Sequence, residues 1–392
     1  MADPTLVRVA ACLRALHPQA VPAPRPDDPL VMPEPGEADY KLSDDAFWEV
    51  FHAPPKERGL SFDAVSYEEI AALYHGGQQY RGTLKGLVQR INGGDVHRDC
   101  LEILGDSLLY GLEKPDKSTR PIGVGAAFRR MAGRCIYAQY KLDFAQVLTT
   151  SKPSAEMLAR YGCAADRECN VPLQVGCGLA GGAEIAVNMV RVALELRQEW
   201  AVLSDDKRNG YNTLTREAIF KGVRRWFPEL LPTVRMFYAR EGGLYVREML
   251  RASGAGDGDG GARLPSRGAG PRPTVDGQGE HYYSREGCTQ GDPLGPILWS
   301  LAYHQALLEI QAQCPDTLIV AYLDDTYYLQ TPAEALRSMR VGDVVTTDVC
   351  GVTSNESKQE VFSMGGDLAE MPASIRGARR RQTRRPGTRV AC

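Results

Sequence analysis

An α+β fold, with an antiparallel sheet and helices covering one of its faces, is predicted by three stretches of this chain. Around VAYLDDTYYL at 320 to 329, Leu318, Val320, Tyr322, Thr326 and Tyr328 flank Leu323-Asp324-Asp325 with the composition of two strands, and Asp tolerates the positive φ of a tight hairpin turn. At SDDKRNGYN, 204 to 212, the apolar run from Trp200 to Leu203 ends in Asp205-Asp206 and turns polar, which reads as a further strand ending in acids. Leu294, Leu298, Leu301 and Leu308 recur at helical spacing and make a core helix.

The remaining elements follow in order. Residues 1–40 hold a leader in which 17 to 37 are rich in prolines and acids with little periodicity, so a flexible segment is expected. From 41 to 112 apolar residues recur at helical spacing, among them Ile70, Leu73, Leu84, Leu87, Leu101, Leu104 and Leu108, and predict a helical part. ASGAGDGDGGARLPSRGAGPRPTVDGQGE at 252 to 280 is too rich in Gly and Pro to pack. Gln290-Gly291 opens a turn into the core helix, with Pro293 and Pro296 suited to its extended start and first turn. Arg376 to Arg389 contain seven arginines, a basic tail of nuclear-targeting or nonspecific character.

Composition narrows the class. The chain has 392 residues, 43% of them hydrophobic, enough for a real core. It has no run of about eighteen apolar residues and no signal-like start, which predicts an intracellular protein, nuclear or cytoplasmic, neither membrane-bound nor secreted. Ten scattered cysteines without a Cys-x-x-Cys pair signal neither zinc nor disulfides. The net charge of −3 is unlike a typical nucleic-acid binder, but Arg129, Arg130, Arg134, Arg216, Arg224, Arg225 and Arg235 offer local positive surface.

An Asp-Asp pair in a hairpin is, taken alone, a turn. Two strands that both end in clustered acids carry more, because packed carboxylates repel and Mg²⁺ with oxygen ligands relieves them. If the strands lie side by side, Asp206 and Asp324 can hold two divalent metals about 4 Å apart, the arrangement for in-line phosphoryl transfer.

The wording of these segments is similar to one family. Tyr322-Leu323-Asp324-Asp325 resembles the Tyr-x-Asp-Asp box of reverse transcriptases, and Asp206-Lys-Arg-Asn209-Gly-Tyr211-Asn212 resembles the Asp-x-x-Asn-Ala-Phe-Asn box of LINE-like (non-LTR) retroelement enzymes. EGCTQGDPLGPILWSLAYHQAL at 286 to 307 is similar to the Gln-Gly-Asp-Pro-Leu-Gly-Pro box, and Lys114-Pro with STRPIGVGAAFRRMAGRC at 118 to 135 resembles the fingers motif. VPLQVGCGLAGGAEIAVNMVR at 171 to 191 resembles the glycine-rich segment, and SNESKQEVF at 354 to 362 the Leu-Asn-x-x-Lys-Cys-Glu box. The boxes occur in family order across roughly 60 to 365.

The resemblance implies a right-hand polymerase core: helical N-terminal part of the fingers at 41–112, fingers at 113–195, palm at 196–365 with the insertion 252–280, and basic tail at 366–392. It implies RNA-directed DNA synthesis from an RNA template, a DNA primer and dNTPs, with two Mg²⁺ or Mn²⁺ ions on Asp206 and Asp324 and Asp325 as an auxiliary acid. Lys114 and Arg120 would grip the triphosphate, Tyr211 would exclude a 2′ hydroxyl, Gln290 with Gly291 would contact template or nucleotide, and Lys358 would protonate pyrophosphate. Asp205 competes for the ligand position, but Asn209, Tyr211 and Asn212 fall at family offsets only from Asp206.

Departures from the pattern are Gly210 for Ala, which loosens the helix start, Gln359 for Cys, and Ser204 for an apolar residue. About thirty residues follow Phe362, fewer than a helical thumb needs, so the thumb is expected to be missing and its function, or an endonuclease, to come from a missing region or a partner. A truncated or domesticated palm that only binds nucleic acid, an RNA-dependent RNA polymerase, and a plain α+β interaction protein are the alternatives.

Overall fold

The computed structural model describes residues 39–56, 65–113, 119–250, 281–369 and 371–375, with Cys12, Leu13, Ala15, Leu16, His17 and Asp63. Most of the leader, Lys114, the insertion 252–280 and the arginines from 376 onward lie outside the described residues.

From Asp44 the described residues run through α1 Asp44–His52, α2 Tyr67–His75, α3 Gln78–Asn92 and α4 Arg98–Gly105. Strands β1 Ser107–Glu113 and β2 Thr119–Gly125 precede the long α5 Ala127–Thr150 and short α6 Ala155–Arg160. Then follow β3 Leu173–Gln174, α7 Gly182–Leu196, β4 Ala201–Asp205, the one-turn α8 Gly210–Thr213, α9 Arg216–Trp226 and α10 Leu231–Tyr238. β5 Gly242–Leu250 and β6 His281–Ser284 flank the insertion, and the last described elements are α11 Gly295–Gln313, β7 Leu318–Tyr322, β8 Asp325–Gln330, α12 Pro332–Cys350 and β9 Glu360–Ser363.

The N-terminal helices form where the sequence supplies starts and a buried stripe. Ser66 accepts from the Glu69 amide while Glu69 reaches back to the Ser66 amide, a reciprocal cap that fixes the start of α2. Ile70 and Leu84 are buried as the periodicity predicts, but Leu73 and Leu87 lie on the exposed side. Leu108, expected to continue a helical stripe, sits in β1, because α4 ends at Gly105 and Asp106 takes an extended backbone. The next positions then alternate: Leu108 and Tyr110 pack with Val124, whereas Leu109 packs with Leu13, Leu244 and Tyr282.

Two sheets result. One has the order β2-β1-β5-β6, so the strands on either side of the insertion pair with each other and join β1 and β2. The other has the order β3-β7-β8-β4-β9 and carries the acidic segments. It is antiparallel except where the two-residue β3 runs parallel to β7.

Helices cover both faces of this second sheet, which corrects the expectation of one. Ala201, Leu203, Ile319, Ala321 and Tyr328 face the main core with Trp299, Tyr303 and Leu307 of α11, while Val202, Val320 and Leu329 face Ala186 and Leu194 of α7. The continuous apolar run of β4 is the physical reason, since a strand buried on both faces does not alternate with polar residues. α11 is buried nearly all round, which makes it the central helix that its leucines predict. Among the described residues no helix is long and apolar enough to cross a membrane.

Candidate active site

β4 runs antiparallel to β8 with Ser204 opposite Tyr327 and Asp205 opposite Thr326, and the β7–β8 hairpin closes with Tyr322 opposite Asp325. Asp206, the residue after β4, and Asp324, in the turn, therefore emerge at the same end of the sheet. Both line a cleft of about 860 Å³. Arg120 of β2, Tyr211 of α8, Gln290 and Gly291 ahead of α11, and Lys358 ahead of β9 line the same cleft. Seven of the nine residues singled out from the sequence are thus brought together. Asp325 opens β8, half-buried, and is not among the cleft residues; Lys114 is outside the described residues.

The turn that presents Asp324 has an uncommon backbone. Leu323 has φ +56°, in the left-handed region that disfavours a residue with a Cβ and costs about 1–3 kcal/mol. The Leu323 N–H donates to Gln174 Oε1 at 2.8 Å, and Gln174 Nε2 donates to the Leu323 carbonyl at 3.0 Å.

The acids of the turn are electrostatically stressed. Burial, reinforced by the charge of Asp206, holds the Asp324 carboxyl above the usual carboxylate range, with Arg120 and Lys358 opposing the shift. Burial first, then the charge of Asp324, pushes Asp325 up to about 6. Lys358 Nζ lies 2.6 Å from Asp206 Oδ2, so an ammonium already stands against this carboxylate on the cleft side. Asn355 frames the same residue, its N–H donating to the Asp206 carbonyl at 2.8 Å. Among the described residues no group of three or more His, Cys, Asp or Glu side chains is gathered as a metal site. The cleft offers instead an open pair of carboxylates, donors suited to a hard cation that keeps other oxygen ligands.

Asp205 has a different fate. Its carboxylate is fully buried and accepts from Lys207 Nζ at 2.6 Å, Ser354 Oγ at 2.9 Å and Gln359 Nε2 at 3.2 Å. Lys207 also donates to Thr346 and Ser354. Gln359, which departs from the family pattern, therefore completes this network.

Tyr211 stacks on Trp299 with ring centroids 5.3 Å apart and planes 10° from parallel, and Trp299 stacks on Tyr303. A Cβ at Gly210 would lie 2.7 Å from the Trp299 ring, so the space left by this glycine is filled by an indole. Gln290 is placed by its backbone: its carbonyl accepts from Gly123 N–H at 2.7 Å, and Gly291 has φ +103° where a Cβ would meet the Gly123 carbonyl at 2.6 Å. This turn is thereby fastened to β2, which carries Arg120.

Several arginines expected to form positive surface are interior. Arg129 makes a buried ion pair with Asp292 at 2.5 Å, Arg130 lies over the Tyr67 ring, and Arg216 donates to the carbonyls of Tyr238, Arg240 and Ser284. Planar guanidinium groups satisfy several carbonyls at once, which suits them to such positions. Arg120, Arg134 and Arg208 are the arginines that line the cleft. Gln174, Trp299, Asn355 and Lys207 were not singled out by sequence reasoning. Their only signal was to stand inside or beside the recognised boxes. Leu16 gave no signal at all, yet it lines the cleft and its carbonyl accepts from Asn209 Nδ2 at 2.5 Å.

Comparison with known proteins places similarity over most of the chain. The family model for reverse transcriptase (RNA-dependent DNA polymerase) matches residues 112–364. The retrotransposable element SLACS 132 kDa protein of Trypanosoma brucei gambiense is 24% identical over 289 residues, covering 72% of this chain and 20% of that protein. The chain thus spans about a fifth of the length of this relative.

Proposed function

The chain belongs to the reverse transcriptase family, and from that premise we propose that it is the polymerising core of a non-LTR retrotransposable element, extending a DNA primer with dNTPs on an RNA template. The observation that carries this reading is the convergence of Asp206 and Asp324, from different strands, on one cleft with Arg120, Tyr211, Gln290 and Lys358 around it. In this reading the acid-bearing sheet is the palm, and β1, β2 and the N-terminal helices belong to the fingers.

The residues fit a divalent metal: two carboxylates share a half-buried site, one of them made hard to ionise by burial and by the other's charge, with Arg120 and Lys358 as the cations that oppose this. Asp206 and Asp324 would hold two Mg²⁺ or Mn²⁺ ions, with Asp325 adding negative charge from behind the turn. When bound, such ions activate the primer hydroxyl and neutralise the triphosphate and pyrophosphate. Arg120 would receive the triphosphate with its planar fork. Tyr211, backed by Trp299, would wall the sugar and exclude a 2′ hydroxyl. Lys358, 2.6 Å from Asp206, would hold a proton near the leaving group.

Primer extension by the purified chain on a homopolymer RNA template, with each metal and each sugar type supplied separately, tests the reading. Metal-dependent incorporation of dNTPs is expected, with loss in Asp324→Asn and entry of ribonucleotides in Tyr211→Ala. Wild-type extension by Asp324→Asn would overturn the metal assignment, and an unchanged sugar preference in Tyr211→Ala would place the gate elsewhere.

A further inference from the structure

The glycine-rich segment 171 to 191 resembles a family box but has no part in the chemistry above. Its first strand supplies one. β3 pairs in parallel with β7 through Leu173 opposite Val320 and Gln174 opposite Ala321, and Val175 N–H donates to the Ala321 carbonyl at 2.8 Å. One step further the pairing partner is a side chain. The Gln174 amide, with no exposed surface, takes the Leu323 N–H on Oε1 at 2.8 Å and gives Nε2 to the Leu323 carbonyl at 3.0 Å. The same Oε1 accepts from Gly176 N–H at 3.1 Å, which fixes the amide in place.

Both peptide groups of Leu323 are thus held by one side chain, at the residue whose φ of +56° a leucine seldom adopts. Gly176 permits the approach, since a Cβ there would lie 2.6 Å from the Leu323 nitrogen. Asp324 follows directly, so the direction of its carboxylate depends on the backbone of Leu323.

We infer that Gln174 is a positioning residue for Asp324: its amide clamps Leu323 in the left-handed conformation and so aims the Asp324 carboxylate at Asp206 across the cleft. The inference rests on the reading of Asp324 as a cation ligand. A clamp one residue removed from a ligand acts as outer-shell partners of metal sites do, where loss weakens metal affinity or activity by about 10- to 100-fold.

The test uses the full chain with Mn²⁺ as the probe. Gln174→Met keeps the volume but removes both bonds; Mn²⁺ binding followed by electron paramagnetic resonance is expected to weaken about 10- to 100-fold. Hydrogen exchange of the Leu323 amide in the metal-free protein should accelerate in parallel. Adding Leu323→Gly, which accepts the positive φ without help, should restore Mn²⁺ affinity toward wild type, a rescue that general destabilisation does not give. Gln174→Asn, an amide one methylene short, is expected to behave like Gln174→Met and serves if that variant does not fold. Asp324→Asn measured alongside separates the two ideas: binding unchanged there removes the ligand reading. Binding lost there but unchanged in the Gln174 variants, or weakened in them without rescue by Leu323→Gly, overturns the clamp.

Discussion

Asp205 and Asp206 are neighbours at the end of one strand, and each has a lysine 2.6 Å away, yet the two pairs are built for opposite ends. Asp205 and Lys207 have fully buried side chains, and Ser354, Gln359 and Thr346 use their remaining hydrogen-bonding capacity. Asp206 opens into the cleft, and its partner Lys358 has a side chain about half exposed. β4 ends at Asp205, whose carboxylate is sealed under α12, and the next residue, beyond the strand, borders the cleft with a side chain 17% exposed. A closed ion pair specifies structure. An open one beside a second acid leaves room for a ligand.

The sharpest way to break this contrast is to neutralise each acid alone. Asp206→Asn should reduce primer extension by about 10³-fold or more, because a ligand to the transition-state charge is worth several kcal/mol, while thermal melting stays near wild type. Asp205→Asn should do the reverse: leaving the Lys207 charge buried without its counterion costs about 3–5 kcal/mol of stability, read as a lower urea midpoint. Asp205→Asn/Lys207→Met, which removes both charges, should recover much of that loss. If Asp205→Asn abolished extension with its urea midpoint unchanged, the ligand would be one residue earlier than assigned.

That contrast also shows how far the sequence could be read. The strand ends at Asp206 and Asp324 and the central helix with Leu294, Leu298 and Leu301 were legible, because apolar runs, turn residues and helical spacing are local properties. The cover of α7 on the second face is legible in principle from the apolar run Trp200 to Leu203, which does not alternate with polar residues as a one-faced strand would. Leu108 falls into a helical stripe because its spacing from Leu101 and Leu104 fits, and spacing does not register the end of the helix at Gly105 and the extended backbone of Asp106. The offsets of Asn209, Tyr211 and Asn212 are local and legible; the partners that occupy Asp205, namely Lys207, Ser354 and Gln359, are brought together only by folding. The Gln174 amide on Leu323 is likewise invisible in sequence, since its partners are 149 positions apart.

Beside the cleft, the wall formed by Tyr211 is stiffened by the ring behind it. Gly210 for Ala suggested a looser helix start, but the fully buried Trp299 occupies the space of the missing side chain and stacks on Tyr211. Gly210→Ala should therefore strain the site, costing about 1–3 kcal/mol by overpacking and displacing Tyr211 enough to lower discrimination against ribonucleotides. Gly210→Ala/Trp299→Phe should regain stability, since a smaller ring makes room for the methyl group. Competing incorporation of the two sugar types, measured with chemical denaturation, checks both. Unchanged selectivity in Gly210→Ala would mean that the Tyr211 wall does not depend on the indole behind it.

The smallest effect is expected at Lys358, and its sign separates the open pair from the closed one. Lys358→Ala removes the exposed member of the Asp206 pair; such pairs contribute about 0–1 kcal/mol, so the melting temperature should move by roughly 2 °C or less. Lys207→Met, at the closed pair, should lower it clearly. Binding and chemistry then diverge in Lys358→Ala. With the ammonium gone from its place 2.6 Å from Asp206, a divalent ion no longer displaces a cation to reach the carboxylate, and Mn²⁺ should bind several-fold more tightly at low salt. Extension at saturating metal should nevertheless fall, by about tenfold, if the same group supplies a proton to pyrophosphate. Tighter binding with slower turnover is a pairing that neither unfolding nor loss of a metal ligand produces. Weaker Mn²⁺ binding in Lys358→Ala would instead show that the lysine organises Asp206 for the ion, making the open pair as structural as the closed one.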